Sequence, residues 1–304
     1  MKNIFMHYVV TGGAGFIGSN IVKLLVEHDH SVTVIDNLHS GKIESLESIK
    51  NKIKFENVDI LNFDKVESIL CDCDGVFHEA ALVSVTESLE KEKEYFNVNV
   101  NGTKNIFEIA TKYHKRVIYA SSSSVYGNPN QIPIKENSDR KAFNPYALTK
   151  LKDELLAEQF VKNGLDVIGL RYFNVYGIGQ TSTYAGVITQ FLRNLKENKP
   201  PIVNGDGKQI RDFIHVDDVA KANLIAMQSK IKNGFFNIGS GRDISILELA
   251  KLMIDISGLP LKPVFAPLPN GDVNLSQADT ALSLKLLDWE SSITLENGLK
   301  QLFD

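Results

Sequence analysis

A tyrosine and a lysine four residues apart, Tyr146 and Lys150, are the pair in this sequence best placed to move a proton. They fall in Asn144-Pro145-Tyr146-Ala147-Leu148-Thr149-Lys150, where Pro145 suits the first helical position because its missing N–H is no loss there. On a helix over residues 145–163, positions four apart share a face, so the phenol and the ammonium point together. A phenol in water titrates near ~10. A cation ~5 Å away, at an effective dielectric of ~20, favours the phenolate by roughly 3 kcal/mol. Lys150 is one such cation, and a cationic cofactor ring would be another. The same spacing also fits an ordinary exposed helix face, so the elements around it have to decide.

The chain has 304 residues, 43% hydrophobic and 23% charged, which suits a globular enzyme of one large or two closely joined domains. A net charge of -4, with no Lys/Arg cluster or interleaved aromatic stripe, argues against a nucleic-acid partner. Cys71 and Cys73 are the only cysteines. A single C-x-C supports neither a disulfide framework nor a metal site, and two free thiols are expected. No apolar run reaches membrane-spanning length, and the N-terminus runs straight into a strand. A cytoplasmic protein without a membrane partner is therefore expected.

Residues 4–10 are apolar and feed Thr11-Gly12-Gly13-Ala14-Gly15-Phe16-Ile17-Gly18-Ser19, followed by an amphipathic helix over 16–28. Small residues at this turn let the backbone approach a pyrophosphate, whose charge rests on helix N–H groups. A second strand over 31–35 ends at Asp36, 18 residues beyond Gly18. An acid there accepts from ribose hydroxyls and repels a 2′-phosphate, which selects NAD over NADP. A plain βαβ unit with a surface aspartate is the bland alternative. Strands over 53–58, 75–78 and 116–120 and helices over 64–70 and 97–114 continue the alternation. Asp59 and Ile60 would meet an adenine ring, and Ala80 and Ala81 leave room for a cofactor to pass. His78 reads as a hydrogen-bonded structural residue. Asn99 would either brace the active-site backbone or cap a helix. The fifth strand ends in Ser121-Ser122-Ser123-Ser124, at the sheet edge where ligands bind, so a hydroxyl there can reach Tyr146 and a substrate oxygen. The fold expected is α/β, a doubly wound parallel sheet (Rossmann) with a smaller α/β lobe. Residues 1–172 and 213–238 are assigned to the first, 173–212 and 239–304 to the second. Amphipathic helices over 245–256 and 279–287 are placed in the smaller lobe.

Over residues 9–281 the chain resembles the extended short-chain dehydrogenase/reductases that modify nucleotide sugars, and among them most the UDP-glucose 4-epimerases and their relatives. The resemblance rests on Thr-Gly-Gly-Ala-Gly-Phe-Ile-Gly-Ser, Asp36-Asn37, His78-x-Ala-Ala, Asn99-Val-x-Gly-Thr, Ser-Ser-x-x-Val-Tyr-Gly, Tyr146-x-x-x-Lys150, Arg171-Tyr-Phe-Asn-x-Tyr-Gly and Arg211-Asp-Phe-Ile-His-Val-x-Asp. It implies a catalytic hydroxyl at Ser122, a base at Tyr146 and a helper at Lys150. NAD contacts are implied at Gly12, Gly15, Phe16, Ile17, Gly18, Asp36, Asn37, Asp59, Ile60, Ala80, Ala81, Asn99 and Phe173, with Tyr146 and Lys150. Sugar-nucleotide contacts are implied at Ser122, Tyr146, Asn174, Val187, Ile202, Asn204, Arg211 and Asp272. Arg211 suits a fork on phosphate oxygens, although outside this context a surface pair with Asp212 would be favoured.

Two positions depart from the family pattern. Pro269 stands where relatives often carry an arginine, which weakens a second diphosphate contact. Ser276 stands where some glucose-specific epimerases place a tyrosine, leaving room for an N-acetyl group at the sugar's C2. The expected reaction is 4-epimerisation of a UDP-hexose through a transient 4-keto sugar, on UDP-glucose and UDP-galactose and also on the N-acetylated pair. UDP-glucuronate 4-epimerisation would use the same machinery. The family's dehydratases and decarboxylases carry acids where this chain has Ser123 and Ser124. A redox-silent NAD-binding regulator is the non-enzymatic alternative. The helices over 99–114 and 145–163 resemble those of the family's four-helix dimer interface, so a homodimer is expected.

Overall fold

In the computed structural model, which describes residues 5–180, 186–267 and 274–303, strand and helix alternate through the first half of the chain. β1 (His7–Thr11) runs through the glycine turn into α1 (Phe16–Glu27), and β2 (Ser31–Asp36) follows. A 3-10 segment, Ile43–Lys52, unforeseen in the sequence, leads to β3 (Ile53–Asn57) and α2 (Phe63–Leu70). Next come β4 (Gly75–His78), α3 (Val85–Glu90) and α4 (Glu92–Tyr95). A π-turn, Phe96–Asn101, joins α4 to α5 (Gly102–Lys112), so the helix expected to begin near Asn97 starts earlier and is wound wider there. β5 (Arg116–Ser122), α6 (Pro145–Lys162) and β6 (Val167–Tyr172) complete the regular alternation.

The second half is less regular. It holds β7 (Asn174–Tyr176), α7 (Val187–Lys196), β8 (Ile202–Asn204), β9 (Ile210–Arg211), β10 (Phe213–His215) and α8 (Val216–Gln228). β11 (Asn233–Ile238), β12 (Ile244–Ser245), α9 (Ile246–Ser257), β13 (Val264–Ala266), α10 (Ala281–Leu287) and α11 (Leu295–Phe303) follow. Pro269 and Asp272 lie outside the described residues.

Seven strands form the main sheet in the order β11-β6-β5-β4-β1-β2-β3, all parallel. The order reverses between β1 and β4, which opens a crevice at the carboxyl ends of those strands. Neighbouring residues of β1 serve opposite faces, as a pleated strand demands. Val10 packs with α1 and α8 residues such as Ile21, Leu25 and Val219. Val9 packs with Ile106, Phe107 and Ala157 of α5 and α6. Being covered on both sides explains why these strands are continuously apolar.

A separate core, including Tyr176, Phe191, Val203, Leu249, Met253 and Leu299, gathers α7, α9 and α11. α10, expected in the smaller lobe, instead packs beside β11, with Leu287 and Trp289 in the core under α1 and α8. The Trp289 indole N–H donates to the Asp218 carbonyl at 3.2 Å, which ties this helix end to α8. Cys71 and Cys73 are free thiols, and burial pushes the Cys73 thiol up to about 12.

Buried charges fix α6 against the sheet. The Glu154 carboxylate accepts from the Ser121 hydroxyl at 2.7 Å, from Arg171 Nε at 2.7 Å and Nη2 at 2.9 Å, and from Arg140 at 3.0 Å. Arg171 continues to the Tyr126 hydroxyl and the Glu136 carbonyl, and Tyr126 to Asn237 on β11. Replacing Glu154 by glutamine leaves the Arg171 charge buried and uncompensated. Removing one member of such a pair typically costs about 3–5 kcal/mol. Urea unfolding of E154Q is expected to show a loss of that order, with the slope of the transition unchanged.

Candidate active site

The glycine turn is shaped by close backbone approach. Gly12 has φ +67, and a Cβ there would sit 2.7 Å from the Ala80 backbone nitrogen. A Cβ on Gly18 would collide with the Gly12 carbonyl. α1 begins at Gly15 without a side-chain cap, and the first helical bond runs from Ser19 N–H to the Gly15 carbonyl at 3.0 Å. The N–H groups of the first turn are thus left for an anion. At the end of β2, Asp36 accepts from the Ala14 N–H at 3.0 Å and the Leu38 N–H at 2.8 Å. Burial pushes its carboxyl up, and those two N–H groups pull it back. Asn37 donates to Asp59 at 2.9 Å, linking the ends of β2 and β3.

These groups share a cavity of about 410 Å³. Gly12, Gly15, Phe16, Ile17, Gly18, Asp36, Asn37, Asp59, Ile60, Ala80, Ala81 and Phe173 all line it. So do Ser122, Tyr146 and Lys150. An anion seat at one helix terminus, a carboxylate near one end and the hydroxyl–phenol–ammonium trio near the other fit an extended dinucleotide.

The trio comes from two elements. α6 starts as its sequence requires: Asn144 caps it by accepting from the Ala147 N–H at 2.8 Å, and Pro145 follows at the first turn. Tyr146 N–H is held by the Ser88 hydroxyl at 3.2 Å. One turn on, Lys150 is 5% exposed and donates to the Ala120 carbonyl at 2.9 Å. At the end of β5 the serines separate by role. Ser121 turns inward to Glu154. Ser122 accepts from the Ser124 N–H at 3.1 Å, which leaves its own O–H free to donate into the cavity.

His78 is structural, as expected: its ring bridges Thr11 at 2.7 Å and Thr103 at 2.9 Å, and burial lowers its titration to about 3, which keeps it neutral. Asn99 lies in the π-turn and braces the backbone. Its amide pairs with both the N–H and the C=O of Leu82, at 2.8 and 3.0 Å, and donates to Thr149 at 3.0 Å. It therefore stands behind the cavity wall, not on it.

The implied sugar-nucleotide residues are placed differently. Among the described residues, Asn174, Val187, Ile202, Asn204, Arg211 and Ser276 do not line the cavity, and Asp272 lies outside the described residues. Asn174 directs its side-chain amide at the Asp212 carbonyl, 2.8 Å away. The Asp212 carboxylate accepts from Ser240, Gly241 and Ala278, so it serves as a knot between β10 and the residues after β11. Ser276 is buried, with its N–H on the Ile210 carbonyl at 3.1 Å.

Glu79 directly precedes Ala80 and Ala81 in the sequence. Its side chain lines the cavity and accepts from the Tyr172 hydroxyl at 2.9 Å, which itself accepts from Asn223 at 2.8 Å. Burial pushes its carboxyl up to about 8, against the Tyr172 hydrogen bond and the Lys150 charge. A glutamate after a strand carries no periodic signal; only the approach of β6 reveals its partner.

A doubly wound sheet, an uncapped helix terminus at a glycine turn and an acid closing the second strand define a dinucleotide-binding protein of the NAD-using type. The chain belongs to the NAD dependent epimerase/dehydratase family, which matches it over residues 8–239. It is 38% identical, over 96% of both chains, to a putative UDP-glucose 4-epimerase of Methanocaldococcus jannaschii. It is 35% identical to a UDP-N-acetyl-alpha-D-glucosaminuronate decarboxylase of Bacillus cytotoxicus, over 96% of this chain and 95% of that one. The crystallised UDP-N-acetylglucosamine 4-epimerase of Methanobrevibacter ruminantium, in complex with UDP-N-acetylmuramic acid, superposes with a TM-score of 0.94 at 35% identity, covering 98% of this chain and 97% of that one. NAD is the cofactor of this family.

The raised Glu79 carboxyl has a stability consequence. A glutamate in the unfolded chain titrates near ~4.3, well below its folded value. The folded protein thus retains a proton that the unfolded chain releases, so the group's contribution is full below ~4.3 and is lost as pH rises through about 8. E79Q is expected to show a smaller fall in unfolding free energy between about pH 5 and about pH 9 than the parent protein, by urea titration at each pH.

Proposed function

We propose that the chain is a 4-epimerase of UDP-hexoses, acting on UDP-glucose and UDP-galactose by transient oxidation at C4. What carries this reading is that Ser122, Tyr146 and Lys150 share one cavity with the glycine turn and Asp36. Bound along the glycine turn, Asp36, Asn37, Asp59, Ile60, Ala80, Ala81 and Phe173, NAD would supply a hydride acceptor that is restored in every cycle. Tyr146, favoured as a phenolate by the Lys150 ammonium, takes the proton of the 4-hydroxyl and becomes a neutral phenol. Ser122 donates to the same sugar oxygen, steadying it as it becomes a carbonyl. The flat 4-keto sugar turns over while its nucleotide stays anchored. Tyr146 then returns its proton to the oxygen, and C4 is inverted.

For the nucleotide, Arg211 would fork onto diphosphate oxygens, and Asn174, Val187, Ile202, Asn204 and Asp272 are the further candidate contacts. The small side chain at Ser276 supports acceptance of UDP-N-acetylglucosamine and its galacto epimer. Ser123 and Ser124 favour epimerisation over dehydration or decarboxylation, because neither supplies the acid those reactions use. A panel of UDP-sugars, incubated with purified protein and no added NAD, is expected to yield the 4-epimers of the glucose pair and of its N-acetylated counterpart. Conversion of no UDP-sugar would sink the reading. Y146F is expected to keep the fold and bound NAD while losing at least about 100-fold in turnover, the scale of lost acid–base catalysis.

A homodimer is part of the same proposal. Leu148 and Leu155, seven apart on one face of α6, are each 40% exposed, and Leu89 and Phe96 are exposed on the neighbouring helical segments. Multi-angle light scattering at micromolar concentration is expected to give twice the chain mass.

A further inference from the structure

Behind the proposed catalytic lysine lies a carboxylate that the reaction above does not use. Asp153 follows Lys150 by three residues on α6 and is fully buried. Its Oδ2 is 3.8 Å from the Lys150 ammonium, and neither of its oxygens accepts a hydrogen bond of regular geometry. Lys150 lines the cavity and Asp153 does not, so the carboxylate approaches the ammonium from outside the reaction space. The groups around it come from every neighbouring element. Lys150 and Glu154 share its helix, and Glu154 is already bound to Arg171 of β6. Thr103 of α5 turns its hydroxyl to the carboxylate and is held by the neutral ring of His78 from β4. Tyr119 of β5 feels the Asp153 charge, and its hydroxyl has no partner.

An unpartnered carboxylate in a dry site is costly unless a cation or a proton neutralises it. The one ammonium beside it among the described residues belongs to Lys150, which lines the same cavity as Tyr146. The geometry points to Asp153 as a positioning residue that offsets part of the Lys150 charge and so governs how strongly the lysine favours the Tyr146 phenolate. Burial, opposed by Lys150, pushes the Asp153 carboxyl up to about 8, so the offset sets in as pH rises through about 8. Thr11, His78 and Thr103 form a hydrogen-bonded chain that fixes the threonine on the α5 side of the carboxylate. This inference rests on the reading of Tyr146 as the base.

The test compares the parent protein with Asp153→Asn, which preserves shape and removes the charge. Phenolate absorption of Tyr146 is isolated from the other tyrosines by subtracting the Tyr146→Phe titration in each background. In D153N its midpoint is expected to fall by about one pH unit, the scale of a nearby like charge, and the acid limb of the kcat profile to fall with it. In the Lys150→Met background, where no cation keeps Asp153 ionised, the same substitution is expected to move the phenolate midpoint much less. An unchanged or raised midpoint in D153N overturns the proposal. Should D153N fail to fold, Thr103→Val weakens the carboxylate's ionisation and is expected to shift the midpoint in the same direction; no shift there overturns it equally. The spectroscopic titration needs no sugar, so it stands apart from whether any UDP-sugar is turned over.

Discussion

The carboxylate of Glu154 holds the architecture of the site together. It sits on the same face of α6 as Tyr146 and Lys150, two turns beyond the first and one beyond the second. By accepting from Ser121 on β5 and from both edge nitrogens of Arg171 on β6, it fixes the rotation of the helix about its axis and its height above the sheet. A forked pair in a dry environment tolerates little sliding, because every shift lengthens two charged hydrogen bonds at once. Lys150 then finds the Ala120 carbonyl at the end of β5, one residue before Ser121. The phenol, the ammonium and the Ser122 hydroxyl are thereby set by one rigid joint between a helix and two strands, and not by a loop.

The rest of the network extends this joint outward. Arg171 passes to Tyr126 and on to Asn237, whose amide holds the carbonyls of Ile134 and Asp279. The segment after the serine run, the β11 edge and the entry to α10 are therefore anchored to the same buried charge. On the opposite flank, the π-turn serves a comparable purpose. Its wider winding sets Asn99 where one amide satisfies both backbone groups of Leu82 and reaches Thr149 on α6. A backbone segment that must border a cavity cannot rely on a sheet partner, and a buried asparagine replaces one.

Charge in the site is arranged sparingly. Around the Lys150 ammonium stand His78, kept neutral by burial, and two acids, Glu79 and Asp153, whose carboxyls burial raises. Low polarity penalises each additional ion, so the Lys150 charge is little offset until pH rises far enough to ionise the raised acids. Excess negative charge would cancel it, and a charged imidazole would crowd it.

Much of this was legible in the residues alone. The glycine turn, Asp36 and the run of β-branched strands dictate a doubly wound sheet, because close backbone approach, an acid at the end of the second strand and two-sided burial each demand particular side chains. Asn144-Pro145 marks the start of α6, and the spacing of Tyr146 and Lys150 places both on one face. These are local properties, set by neighbours within a turn or a strand. The choice between bracing and capping for Asn99 was not local, since its partner Leu82 is 17 residues away. Nor was the packing of α10 against β11, which follows from Leu287 and Trp289 meeting a core assembled much earlier in the chain. Glu79 and Asp153 looked like unremarkable acids in sequence. Only the folded chain brings Tyr172 to the first and seals the second against Lys150, because burial and through-space charge depend on distances that residue order does not encode.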